Sequence, residues 1–146
     1  MKIRAMVIDD SRVMRNMVMQ SLRKTRLAEF EFTEAEDGAD ALNKFNPTNL
    51  DIVFADWNMP NMNGIDFVRQ VRAMKGTDHI PIVMVTSEKA MGKVETALDE
   101  AGANEYICKP FTVEQLERKL SDLFSQIADN QQKSAGFFSK LVKTDA

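Results

Sequence analysis

No apolar run approaches the roughly 20 residues that a membrane-spanning helix requires, so this sequence contains no candidate span. Met1-Lys2-Ile3-Arg4 leads straight into a strand-like run instead of a signal peptide, and the expected location is the cytoplasm. A cysteine pair is also missing. Cys108 is the single cysteine, which excludes an internal disulfide, and its apolar flank reads as the setting of a small buried hydrophobe. An excess of positive charge is missing too: the net charge of -3 offers no general attraction to nucleic acid, so proteins or small anions are the expected partners. Histidine is represented only by His79, in the approach loop Thr77-Asp78-His79-Ile80-Pro81, which reads as a surface position. What remains is an ordinary globular mixture, 44% hydrophobic and 28% charged, in a chain of 146 residues that suits one domain with a real core.

Four apolar runs in that chain each stop at a polar residue suited to a phosphoryl group. Ala5-Met6-Val7-Ile8 ends at Asp9-Asp10, Ile52-Val53-Phe54-Ala55 at Asp56, Ile82-Val83-Met84-Val85 at Thr86-Ser87, and Tyr106-Ile107-Cys108 at Lys109-Pro110. As parallel strands these runs place their polar ends along one edge of the sheet, where open α/β sheets hold their ligands. Carboxylates, a hydroxyl and an ammonium then converge.

Helical periodicity fills the intervals. Val13, Met14, Met17, Val18 and Leu22 recur at three- and four-residue steps behind Ser11, a candidate N-cap. Phe30 to Ala35 alternates as an edge strand should, and Asp37-Gly38 opens a short helix over Ala41, Leu42 and Phe45. Glu36 and Asp37 read as acids at that helix N-terminus and not as site residues. A third helix spans Gly64 to Arg72, and a fourth runs from Met91 to Glu100, stopped at Ala101-Gly102. Thr112-Val113-Glu114-Gln115 is a capping box for a fifth, with Val113, Leu116, Leu120, Leu123, Phe124 and Ile127 at helical spacing. Five βα units predict an α/β fold, a doubly wound parallel five-stranded sheet of order 2-1-3-4-5 of the flavodoxin-like (βα)5 kind. The ten methionines mostly fall at core spacing and are read as core.

Asp9-Asp10, the loop Asp56-Trp57-Asn58-Met59-Pro60-Asn61-Met62-Asn63-Gly64, Thr86-Ser87 and Lys109-Pro110-Phe111 together resemble the receiver domains of two-component response regulators, most closely the single-domain chemotaxis regulators of the CheY type. The resemblance covers residues 1–128, leaving 129–146 as a C-terminal tail. It implies that Asp56 accepts a phosphoryl group from a histidine kinase, that Asn58 lends a backbone carbonyl to a metal, and that Tyr106 changes rotamer as Thr86 turns toward the phosphoryl group. Ser87 stands beside Thr86 as the small residue of the switch. Trp57, Asn58 and Glu88 match chemotaxis regulators, which implies a flagellar motor switch protein as target, with Asn58 and Glu88 influencing hydrolysis. With so much of the chain given to the receiver, output by protein binding is expected, and no enzymatic activity beyond its own phosphorylation and dephosphorylation.

The chemistry can be argued from the residues beside that resemblance. Carboxylates packed together repel, and a divalent hard cation relieves the repulsion while taking oxygen ligands; Mg2+, which keeps few protein ligands, is the expected ion. Asp10 and Asp56 would hold it, together with the Asn58 carbonyl that the resemblance implies, with Asp9 acting through a bound water. A carboxyl with an ordinary pKa near ~3.9 is ionised at neutral pH, so Asp56 needs no general base. Lys109 and Thr86 supply a cation and a donor for the phosphoryl oxygens.

Other classes fit less well. A haloacid dehalogenase-type phosphatase expects its second acid two residues after the nucleophile of the first strand, whereas Asp9 is followed by Asp10-Ser11. A flavodoxin-like binder wants a Ser, Thr and Gly-rich loop there. A receiver acting as a phosphate sink or scaffold outside chemotaxis has the same site residues and stays open. In the tail, Asp129 to Ser134 reads as a polar linker, and Phe137, Phe138, Leu141 and Val142 would share one face of a short helix able to dock on a partner, the receiver or a membrane surface; a mobile end is the alternative.

Overall fold

Side chains alternate along the buried strands and thereby build two separate cores. In the computed structural model, which describes residues 1–87 and 91–144, with side chains from 134 onward and that of Met91 left aside, the strands are β1 (Lys2–Ile8), β2 (Glu29–Ala35), β3 (Ile52–Ala55), β4 (Ile82–Thr86) and β5 (Glu105–Cys108). Between and after them lie α1 (Arg12–Lys24), α2 (Gly38–Lys44), α3 (Gly64–Ala73), α4 (Met91–Glu95) and α5 (Val113–Thr144). Ile3, Ala5, Val7, Phe54, Val83 and Ile107 face Val18 and Leu22 of α1 and Leu116, Leu120 and Phe124 of α5. Met6, Ile8, Val53, Ile82 and Met84 face Ala41 of α2 and Ile65, Phe67, Val68 and Val71 of α3. Each fully buried Ile, Leu or Phe contributes roughly 1.5–3 kcal/mol. Exposed ion pairs such as Lys2–Glu31, at 3.6 Å, contribute about 0–1 kcal/mol, so the two cores hold the sheet.

All pairings are parallel and the order is β2-β1-β3-β4-β5, the order expected from the sequence. Register then places the strand ends. Ile8 pairs with Ala55, which sets Asp9 level with Asp56, and Thr86 pairs with Cys108, which sets Lys109 just beyond Thr86. Helix starts follow the predicted chemistry: Met14 N–H donates to Ser11 Oγ at 3.2 Å, and Thr112 and Gln115 exchange backbone-to-side-chain bonds at 2.8 and 3.1 Å. Asp37 caps α2, accepting from Asp40 N–H at 2.7 Å.

Four expectations need correction. On α1 Val18, Met19 and Leu22 are buried, while Val13 is 75% exposed and Met17 39%, so the periodic apolar positions of its first half do not all face the core. Among the methionines Met6, Met19 and Met84 are buried, yet Met1, Met17 and Met74 are exposed, so the core reading holds only for some. Cys108 is half-buried instead of buried, since it ends β5 at the rim of the sheet. The fourth helix is not α-helical throughout: α4 passes into a π-helical turn, Thr96–Glu100, closed by Ala101 N–H on Thr96 O at 2.8 Å. Gly102 follows with φ +94°, the left-handed conformation a helix stop requires.

The expected linker is also helical. Helix α5 continues without a break through 129–134 to Thr144. Gln and Lys are good helix formers and no proline interrupts them, so polarity alone did not break the helix. Gln131 Nε2 donates to Lys2 O at 3.1 Å beneath the sheet. The apolar positions Phe137, Phe138, Leu141 and Val142 lie outside the described side chains. Among the described residues no helix is long and apolar enough to cross a membrane.

Candidate functional site

The site grows from the C-terminal ends of β1, β3, β4 and β5, and backbone bonds lock those ends together. Asp9 N–H donates to Ala35 O at 3.1 Å, Asp56 N–H to Ile8 O at 2.9 Å, and Lys109 N–H to Thr86 O at 2.9 Å. Each functional side chain therefore leaves a fixed backbone position, which is how a rigid sheet aims groups that come from distant parts of the chain. The Lys109–Pro110 peptide is cis.

Asp9, Asp10 and Asp56 converge as the sequence predicts: each offers an oxygen, and these atoms lie within 4.8 Å of one another. Asp9 is buried, Asp56 half-buried and Asp10 exposed. Lys109 Nζ sits 3.1 Å from Asp9 Oδ2 and 3.7 Å from Asp56 Oδ1. Asp9 Oδ1 accepts from Ser11 N–H at 2.9 Å, and Asp56 Oδ1 from Trp57 N–H at 2.8 Å. Burial pushes the Asp56 carboxyl above the ordinary range, and the like charges of Asp9 and Asp10 push the same way; Lys109 and the Trp57 N–H oppose them. The Asp56 carboxyl therefore does not keep the ordinary value assumed from the sequence, and a divalent cation beside it would act against the burial as Lys109 does. A donor set made entirely of carboxylate oxygens fits a hard divalent cation.

Thr86 is buried at the end of β4, next in chain to exposed Ser87. Glu88 lies outside the described residues. Asn58 is exposed in the loop that leaves β3 just after Asp56. Tyr106 stands away from the acid set, half-buried on β5, with Lys119 Nζ of α5 4.0 Å from its ring centre. His79 is exposed in its loop, as expected.

Several supporting residues were not legible in the sequence. A Cβ at Gly64 would fall on the Asp56 carbonyl oxygen and lie 2.9 Å from Met84 Cε, so only glycine lets α3 start against the β3 terminus. Gly64 N–H also donates to Trp57 O at 2.9 Å. Asn61 Nδ2 donates to Asp37 Oδ2 at 2.8 Å and Gly38 N–H to Met62 O at 3.1 Å, tying the loop after Asp56 to the start of α2. The bonds to Asp40 N–H and Asn61 hold the Asp37 carboxyl below its ordinary range. Arg15 NH1 donates to Asp9 O at 2.7 Å and Arg15 Nε to Glu34 at 3.0 Å. The one available hint was an asparagine and a glycine inside a loop rich in turn residues.

A doubly wound sheet of this order, with three acids and a lysine at its carboxyl edge, is the architecture of a phosphorylation-controlled signalling switch. The chain belongs to the response regulator receiver domain family, whose pattern matches residues 5–121. Receiver domains of this family serve two-component signalling. The chain is similar to the chemotaxis protein CheY homolog of Campylobacter jejuni, with 42% identity over 122 residues, 83% of this chain and 92% of that protein. Among solved structures it is similar to the chemotaxis protein CheY4 of Vibrio cholerae, at 32% identity and a TM-score of 0.72 over 84% of this chain and 99% of the other.

Proposed function

We propose that this protein is a cytoplasmic chemotaxis-type switch that accepts a phosphoryl group on Asp56 from a histidine kinase and signals by binding a protein target at the flagellar motor. The observation that carries the reading is the meeting of Asp9, Asp10 and Asp56 within 4.8 Å, with Lys109 reaching both buried Asp9 and half-buried Asp56. Similarity to a CheY homolog over most of both chains supports the chemotaxis assignment.

In this reading an Asp56 oxygen forms the new P–O bond as the P–N bond of the donor phosphohistidine breaks, and the electron pair returns to the donor imidazole. Asp56 Oδ1 is oriented by the Trp57 N–H, which leaves the other oxygen as the nucleophile. Lys109, held between Asp9 and Asp56, is placed to follow the phosphoryl oxygens. Asp10 and Asp56, the Asn58 backbone carbonyl and, through water, Asp9 would hold Mg2+, which supplies the charge neutralisation that Asp56 and the phosphoryl group need. Thr86 and Ser87 report the phosphoryl group to β4, and Tyr106 passes the change to β5. Asn58 and Glu88 flank the group and tune its hydrolysis. Residues 1–128 form the receiver and 129–146 its C-terminal tail, of which 129–144 continue the last helix.

Intact-mass measurement after incubation with acetyl phosphate tests the assignment. Wild type with Mg2+ is expected to gain one phosphoryl mass; Asp56→Asn, and wild type in chelator, are expected to gain none. Equal labelling of wild type and Asp56→Asn would remove Asp56 from its role.

A further inference from the structure

Every polar group of Asp9 is engaged. Its N–H donates to Ala35 O at 3.1 Å, Oδ1 accepts from Ser11 N–H at 2.9 Å, Oδ2 meets Lys109 Nζ at 3.1 Å, and its carbonyl accepts from Arg15 NH1 at 2.7 Å. The last bond belongs to no strand ladder or helix. It comes from a guanidinium one turn into α1 whose side chain is only 14% exposed and whose Nε is anchored on Glu34 of β2 at 3.0 Å. Arg15 thus braces β1 against β2 at the point where the acid pair leaves the sheet.

The carbonyl it holds is half of the peptide joining Asp9 to Asp10. A peptide is planar, so fixing that oxygen fixes the plane and the direction in which the Asp10 Cα leaves it. Asp10 is exposed, and packing does little to hold it. We propose that Arg15 is a positioning residue for divalent cation binding: it sets the Asp9–Asp10 peptide so that the Asp10 carboxylate meets those of Asp9 and Asp56. This inference rests on the reading that the three acids hold such a cation.

Electrostatics and positioning predict opposite signs here. A fixed guanidinium near the acids repels a dication, so charge alone makes binding tighter when Arg15 is removed. Positioning makes it weaker, because Asp10 is released. Residues that orient metal ligands typically change affinity roughly 10–100-fold when removed. A bond to the backbone beside the ligand belongs at the low end.

The test is a magnesium chloride titration of the metal-free full chain at constant ionic strength, followed by fluorescence of Trp57, the single tryptophan, whose backbone N–H donates to Asp56 Oδ1. Arg15→Met is expected to raise the Kd about 10-fold. Arg15→Lys, which keeps the charge but lacks a fork able to reach both Asp9 O and Glu34, is expected to weaken binding less. Asp10→Ala is the reference for loss of a ligand. A Kd for Arg15→Met equal to or below wild type overturns the proposal, including when its melting temperature falls, since that marks a purely structural clip. Should Arg15→Met fail to fold, an unchanged Kd for Arg15→Lys overturns it. A wild type without a saturable response defeats the cation reading itself, and this inference with it.

Discussion

Gly64 and Asp56 occupy the same few ångströms, and that crowding makes Gly64 part of the site. Because a Cβ at position 64 would fall on the Asp56 carbonyl, Gly64→Ala must push α3 away from β3 or tilt the Asp56 peptide. Overpacking of this kind costs about 1–3 kcal/mol. Denaturant unfolding is expected to show a loss of that size, together with slower labelling of Asp56 by acetyl phosphate; a variant with unchanged stability would mean the helix start yields freely. Asp56 itself carries a pH signature. Its carboxyl is raised above the ordinary range, mainly by burial, so as pH rises the unfolded chain ionises first and the metal-free fold loses stability. The loss is complete once pH passes the raised folded pKa, and absent below the ordinary carboxyl range. Asp56→Asn keeps an acceptor for the Trp57 N–H and removes the charge. In chelator it is expected to melt above wild type at pH 7, with the difference shrinking toward zero in acid. Thermal melts across that range check it, and equal melting at pH 7 would show that Lys109 already offsets the burial.

At the scale of elements, the strands that carry the site are held from both faces. β1, β3 and β4 are buried over nearly their whole length, so their ends are fixed by two cores at once. The path from β4 to β5 differs. It contains α4 and a π-helical turn in which Thr96 Oγ1 bonds Gly92 O at 2.8 Å, a hydroxyl competing for a helix carbonyl. Its far end is pinned: Arg72 of α3 donates to Gly102 O, Thr77 O, Ile80 O and Asn104 Oδ1 at 2.7 to 2.9 Å. On the next strand Tyr106 is held under Lys119, which also meets Glu105 at 3.3 Å, so β5 and α5 are coupled through a cation over a ring. The far end of that path is thus tied to α3, and β5 is tied to α5 through Lys119.

Across the whole molecule, the proposed function requires that phosphorylation of Asp56 be felt away from that residue. A bound group shifts a two-state equilibrium only through interactions that differ between the states. In the proposed function the Thr86 hydroxyl, on a strand end bonded to Lys109, is the most direct candidate for that difference. Thr86→Ala is expected to keep the capacity to be phosphorylated, at a reduced rate, while losing most of a coupling of about 1–3 kcal/mol. Tyr106→Ala should behave alike. Partner affinity measured with and without phosphorylation decides: a full wild-type gain in both variants would place the coupling elsewhere.

The order of elements, the sheet topology and the convergence of Asp9, Asp10, Asp56 and Lys109 were already present in the one-dimensional pattern, because an apolar run and the polar residue that ends it are local properties and parallel pairing carries them to a common edge. The caps at Ser11 and Thr112 were legible for the same reason. The length of α5 was not: Asp129 to Ser134 is polar, but polarity marks a solvated surface as readily as a linker. Arg12 and Arg15 look alike in the sequence, and only the crossing of α1 over β1 and β2 brings Arg15 to the Asp9 carbonyl and Glu34. The clip between Asp37 and Asn61 and the crowding at Gly64 likewise join residues far apart in the chain or pressed together by packing. Such contacts depend on helix angles and interatomic gaps of a few ångströms, which the packing of both cores sets and no local pattern encodes.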